Sequence, residues 1–217
     1  MTFPPYYVSY HTERRLYFMS IVFDLSEYQP DDRIQELLSE NPEGFILKLG
    51  ETISGTPSLD PKFVQFVNEI TAAGLPYGIY YVSHAHDEDE FMMEANWIND
   101  QMADLLSGNM PELGIWWDVE VEAVCREDVW PQLRDVIGTM EGWYNDMRIG
   151  IYSGYSYFNQ YVDMDELAFY QIPVWVAQYG YYENSLKAEH PELKNVAWQY
   201  GDTYNDMSQD VSEWYGF

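Results

Sequence analysis

The chain has 217 residues, 47% of them hydrophobic, enough to bury one sizeable core, with nothing in its length calling for a second domain. Its 37 acidic and 10 basic residues give a formal charge of -27, which repels phosphate backbones and anionic lipid surfaces and so argues against nucleic acid as a partner. A single cysteine, Cys125, excludes an intramolecular disulfide and a multi-cysteine metal site, and no stretch approaches the roughly 18 apolar residues of a membrane span.

Residues 1–18 are Pro- and Tyr-rich without clear periodicity and show neither the basic segment nor the apolar run of a secretory signal. They read as an N-terminal, non-catalytic extension, with Met19 as an alternative start and residues 19–217 as the folded domain. Ile21-Val22-Phe23 reads as a short buried strand ending at Asp24, and Ile34, Leu37 and Leu38 then repeat at helical spacing after the turn residues Pro30-Asp31-Asp32. Phe45 to Leu49 is a second strand, followed by a Gly/Ser/Thr/Pro loop from Gly50 to Ser58. A helix is expected to open at Asp60-Pro61, with Asp60 as N-cap, Phe63, Phe66, Val67 and Ile70 on one face, and Gly74 as its stop.

The strand-helix unit recurs three more times. Strand Tyr77 to Val82 precedes helix Glu88 to Leu106, strand Gly114 to Glu120 precedes helix Val129 to Tyr144, and strand Arg148 to Ser153 precedes a short helix after Ser156. Val174 to Gln178, Val196 to Tyr200 and a final run near Val211 read as strands with no long amphipathic helix between them. Repeated βα units favour a parallel sheet with right-handed crossovers, and eight strands suggest a closed, TIM-like α/β barrel whose last part lacks its helices. An open doubly wound sheet is the alternative, weakened by the lack of a G-x-G-x-x-G turn after the first strand.

In a barrel, chemistry sits at the C-terminal ends of the strands, and here those ends are acidic. Asp24 ends the first strand, Asp118 and Glu120 end the fourth, and Asp206 and Asp210 flank the last. Strand side chains alternate, so Asp118 and Glu120 share one face, with Cα atoms roughly 6.5 to 7 Å apart. A carboxylate beside another negative charge in an apolar setting has its pKa raised and can hold a proton near neutral pH, and Glu120 is the candidate general acid. Glycoside cleavage needs such an acid and a second group to support the oxocarbenium-like centre. The 20 Tyr and 8 Trp suit stacking on sugar rings, although aromatic side chains fill cores equally well.

Clustered carboxylates also suit Mg²⁺ or Ca²⁺, but no twelve-residue calcium loop is present, and His84 and His86 fall in an acidic loop-helix junction. No metal and no cofactor is expected. A Gly-x-Ser-x-Gly nucleophile elbow is absent.

The motifs, taken in order, resemble the family 25 glycoside hydrolases, lysozymes of the N-acetylmuramidase type. The resemblance runs from about Ile21 onward. Asp24-Leu25-Ser26 with Gln29 is similar to the family's opening Asp-x-Ser, Lys48-Leu49-Gly50-Glu51 to its Lys-x-x-Glu, and Asp60-Pro61-Lys62-Phe63 to its Asp-Pro-x-Phe. Ala73 to Tyr81 resembles Ala-Gly-Leu-x-x-Gly-x-Tyr-His, with Tyr81 in place of the usual histidine. Asp118-Val119-Glu120 resembles the catalytic Asp-x-Glu, and Ile151-Tyr152-Ser153, Val174 to Gly180 and Trp198-Gln199-Tyr200 resemble the later strand motifs.

The resemblance implies a (β/α)5β3 barrel, Glu120 as acid, Asp118 assisting, and Asp24 and Asp210 shaping the site, with Asp206 as the alternative to Asp210. It further implies substrate-binding roles for Glu51, Tyr80, Tyr152, Trp175, Trp198, Gln199 and Asp206. The implied partner is the glycan strand of bacterial peptidoglycan, cut by a monomer acting on the cell wall, with no membrane insertion. A catalytically silent glycan-binding barrel and a chitinase-like hydrolase, whose family also uses an Asp-x-Glu strand end, are the rival functions.

Overall fold

Short strands that are apolar at every position must be covered on both faces, and that is how the sheet of this protein is built. The computed structural model describes residues 21–106, 110–144, 147–181, 183–193 and 196–201, with the backbone of strand residues 207–209. The extension at residues 1–18, the run near Val211, Asp206 and Asp210 lie outside the described residues.

Four βα units come first: β1 (Val22–Leu25) with α1 (Arg33–Leu37), β2 (Gly44–Ile53) leading through β3 (Thr56–Leu59) to α2 (Phe63–Ala73), β4 (Tyr77–Val82) with α3 (Glu88–Leu105), and β5 (Ile115–Asp118) with α4 (Val129–Trp143). Next come β6 (Ile149–Gly154), α5 (Tyr155–Tyr161), α6 (Met164–Tyr170), β7 (Val174–Ala177), α7 (Ser185–Glu189), β8 (Val196–Gly201) and β9 (Met207–Gln209). Together they form an α/β fold around one curled, mostly parallel sheet. The strand order is β1-β9-β8-β7-β6-β5-β4-β2-β3, and β1 also pairs in parallel with β2. Strand β9 is antiparallel to both β1 and β8, and β3 is antiparallel to β2.

Alternation along each strand separates two apolar clusters. Phe23, Leu47, Ile79, Trp117, Ile151, Val176 and Trp198 belong to the large cluster shared with the helices. Their neighbours Val22, Ile46, Trp116, Tyr152, Trp175 and Ala197 form a smaller one on the concave face, with Tyr80 packed against it. The adjacent tryptophans Trp116 and Trp117 thus point to opposite faces, as the pleat demands. On the concave side the bulk of Trp116 is accommodated by a glycine: a Cβ on Gly150 would stand 2.3 Å from its Cζ3 and 2.7 Å from the Pro173 carbonyl oxygen.

The helices begin and end by local chemistry. Asp87 caps α3 by accepting from the Glu90 N–H, Asp163 caps α6 through Glu166, and Asn184 caps α7 through Lys187. Gly74 ends α2 in the left-handed region at φ 72°, as its sequence position predicts.

Three local expectations change. The loop after β2 contains β3, whose ladder partner is the projecting end of β2 and whose own sequence is only weakly strand-like. Helix α2 starts at Phe63, somewhat later than expected, but the Asp60 carboxylate still serves its entry by accepting from the Lys62 N–H at 2.8 Å, and by accepting from the Glu27 N–H at 2.8 Å it ties the loop after β1 to the helix. Strand β5 ends at Asp118 and not at Glu120. Among the described residues no helix is long and apolar enough to cross a membrane.

Gly150→Ala is expected to destabilise the protein by about 1–3 kcal/mol in urea unfolding, because Trp116 is held between packed side chains and cannot yield. Gly138→Ala, on an exposed part of α4 where a Cβ meets nothing within 4 Å, is expected to stabilise by about 0.5–1 kcal/mol. Equal effects of the two substitutions would contradict this account of the concave packing.

Candidate active site

Where the concave face turns from apolar to polar, a cavity of about 260 Å³ opens, lined by Asp24, Tyr80, Asp118, Glu120, Tyr152, Trp175, Tyr179 and Gln199. Each strand delivers its residue by parity, two positions beyond a concave-face apolar residue: Asp24 follows Val22, Asp118 follows Trp116, and Gln199 follows Ala197. Trp175 anchors the aromatic part of the wall. Its ring centroid lies 4.3 Å from Tyr152, 6.1 Å from Trp116 and 6.5 Å from Tyr80.

Asp118 is buried, whereas Glu120, two residues past it and beyond the strand end, is exposed. Burial first, and the Glu120 charge second, push the Asp118 carboxyl well above the ordinary Asp range; Asp24 and Glu51 add to the push, and the Lys48 ammonium opposes it. Its Oδ1 is buried and, among the described residues, meets no hydrogen-bond partner, as is the case for the indole N–H of Trp175. Lys48 is itself buried, pairs with Glu51 at 3.2 Å and lies 5.8 Å from the centroid of the Tyr28 ring. Glu120 itself is exposed and lacks the apolar setting its sequence neighbours suggest.

A polar chain crosses the cavity. The hydroxyls of Tyr152, at 2.7 Å, and of Tyr179 both donate to Gln199 Oε1, and Gln199 Nε2 donates to Asp24 Oδ2 at 3.0 Å. Tyr80 and Tyr152 are pushed well above the usual phenol range, each by burial first and then by the carboxylates around them, so both stay protonated and face those carboxylates as neutral groups.

The model of glycosyl hydrolases family 25 matches residues 23–208. The chain belongs to glycosyl hydrolases family 25. Its fold agrees with solved structures of low sequence identity. The modular autolysin LytC from Streptococcus pneumoniae superposes with a TM-score of 0.70 at 22% identity, covering 88% of this chain and 46% of LytC. The catalytic domain of endolysin ply40 from bacteriophage P40 of Listeria monocytogenes gives 0.69 at 21% identity over 91% of this chain and 95% of that domain. The muramidase from Acremonium alcalophilum gives 0.67 at 18% identity, over 88% of this chain and 92% of that one. The chain spans less than half the length of LytC. None of the curated proteins matches it in sequence.

Within this family 25 fold, the structure brings together Asp24, Asp118, Glu120, Tyr80, Tyr152, Trp175 and Gln199 from the residues singled out in the sequence. Glu51 stands beside that group, in a neighbouring recess with Lys48 and Asp60. Trp198 is not among them: it sits in the cluster against the helices, where its indole donates to the Gln178 carbonyl at 2.8 Å. Two residues of the site escaped the sequence reading. Tyr179 lies just past the end of β7, and Lys48 was noticed only as part of a motif, although a lysine at a concave-face position of a buried strand is itself a signal.

The Asp118 shift has a consequence for stability. The native state binds this proton more tightly than the unfolded chain, so stability falls as pH rises from the ordinary Asp range through the raised native value. Asp118→Asn removes that loss. Thermal unfolding across pH is expected to show the variant level with wild type in acid and melting higher than wild type near neutrality; parallel curves for the two proteins would contradict the elevated Asp118.

Proposed function

We propose that this chain is a peptidoglycan hydrolase of the muramidase type, cutting the β-1,4 bond between N-acetylmuramic acid and N-acetylglucosamine. The observation that carries the reading is a pair of carboxyl groups in unlike settings on one aromatic-walled cavity, Asp118 buried and Glu120 exposed, in a chain of family 25. Among proteins of similar fold, LytC has been seen with a synthetic peptidoglycan ligand and the Cpl-1 endolysin with a peptidoglycan analogue. We propose further that the sheet closes as a (β/α)5β3 barrel over residues 19–217, since β1 bonds both β2 and β9. The proposed place of action is the bacterial cell wall.

Roles follow from setting. Glu120, at the exposed side of the cavity, can exchange its proton with water and meet the leaving glycosidic oxygen as general acid. Asp118, buried beside it, faces the developing oxocarbenium-like centre, and a positive charge there favours its ionised form over the protonated one. As Asp118 ionises, its proton passes to Glu120, whose proton affinity the new charge raises, and Glu120 gives one proton to the leaving oxygen, so that the two carboxyls act as one pair. Asp210, with Asp206 as the alternative, is proposed as the fourth carboxylate.

Digestion of purified peptidoglycan, with the new reducing ends read by mass spectrometry, tests the reading. Muramic acid ends are expected. Glucosamine ends or cleavage of chitin would assign the chitinase-like activity, and glycan binding without products the silent barrel. Glu120→Gln is expected to fold, to bind glycan and to lose on the order of 10² to 10⁴ in turnover, and Asp118→Asn to be severely impaired. Glu122→Gln, in the exposed turn beyond the site, is expected to stay near wild type. If Glu120→Gln keeps more than about a tenth of wild-type turnover, it is not the general acid.

A further inference from the structure

The polar chain across the cavity contains an amide whose orientation is fixed by its neighbours. Gln199 Oε1 accepts from two phenol hydroxyls, those of Tyr152 and Tyr179, which fill both lone pairs of a carbonyl oxygen. Its amide nitrogen must then face the other way, and there it meets Asp24 Oδ2 at 3.0 Å. Gln199 is buried in β8, Tyr152 is buried in β6 and Tyr179 stands more exposed after β7, so three consecutive strands of the sheet act on one carboxylate in β1.

We propose that Gln199 is a positioning residue, locked by Tyr152 and Tyr179 so that its N–H group holds Asp24 as an oriented, ionised carboxylate. This differs from a pure substrate contact: the amide oxygen is saturated by two phenols, and one of the two amide N–H groups is committed to Asp24. Among the described residues, the titratable groups that face Asp24 across the same cavity are Tyr80 from β4, Asp118 and Glu120 from and just beyond β5, Tyr152 from β6 and Tyr179 after β7, with Lys48 from β2 acting on the same charges. A donor dedicated to Asp24 keeps the negative charge there and leaves the cavity's proton to the Asp118 and Glu120 pair.

The kinetic part of the test rests on the muramidase reading, whereas a direct titration does not. Gln199→Met keeps length and volume but removes both the acceptor and the donor. It is expected to lower kcat about ten- to hundredfold with KM held within about twofold, as loss of a hydrogen bond to a charged group implies. In the same variant the ¹³C carboxyl signal of Asp24 is expected to titrate at higher pH than in wild type. Gln199→Glu retains the acceptor for both phenols and can donate to Asp24 only while its new carboxyl is protonated, so its activity is expected to be confined to more acid pH.

A raised KM with unchanged kcat in Gln199→Met would make Gln199 a substrate contact and overturn the proposal, as would an unmoved Asp24 titration. Should Gln199→Met fail to fold, Tyr179→Phe decides. A kcat loss of about two- to tenfold with a raised Asp24 midpoint supports the lock, and unchanged values overturn it. If wild-type protein releases no muramic acid ends, the muramidase reading fails, while the Asp24 titration still tests the lock.

Discussion

Burying the Asp118 carboxyl beside two others is the constraint around which this site is arranged. A lone carboxylate withdrawn from water is costly, and a like charge nearby adds to the cost. The protein compensates only in part. Lys48 is the buried cation among the described residues and lowers the Asp118 proton affinity, but it also pairs with Glu51 and so divides its effect. Gln199 serves Asp24 and not Asp118. What is left uncompensated becomes proton affinity at Asp118, so the instability of the site and its hold on a proton have one origin.

That arrangement depends on strand parity, and parity explains much of what was legible in the sequence. Short apolar runs ending in Asp24 and Asp118 announced both the sheet and the acidic end of it, and seven strand segments fell where periodicity put them. Parity also held a signal that went unused. Trp198 and Gln199 are adjacent in β8, so in a regular strand they cannot both reach the concave face; Gln199 does, and Trp198 packs under the helices. Trp116 and Trp117 divide in the same way.

Illegible features share a different cause, which is that a partner distant in the chain decides them. Strand β3 exists because the end of β2 offers it a ladder, and Thr56-Pro57-Ser58-Leu59 alone has too little alternation to announce it. Tyr179 lies beyond the last residue of β7, where the pleat no longer predicts direction, and its role is set by Gln199, 20 residues on. Glu120 likewise leaves the strand ladder after Asp118, and with it the apolar surroundings that its neighbours in sequence imply.

The overall charge of -27 invites the idea that the whole molecule raises the Asp118 proton affinity, but distance argues otherwise. At physiological ionic strength exposed charges are largely screened beyond about 8 Å, so scattered surface acids contribute little. Several of them are paired locally in any case, as in Arg33 with Glu36, Arg126 with Asp128, and Arg134 with Asp135 and Glu166. Among the described residues, what acts on Asp118 is instead its own burial, Glu120, Lys48, Asp24 and Glu51, all gathered at one end of the sheet. Composition therefore speaks to what the surface repels, while the chemistry of the site is decided by a handful of charges whose spacing the strands fix.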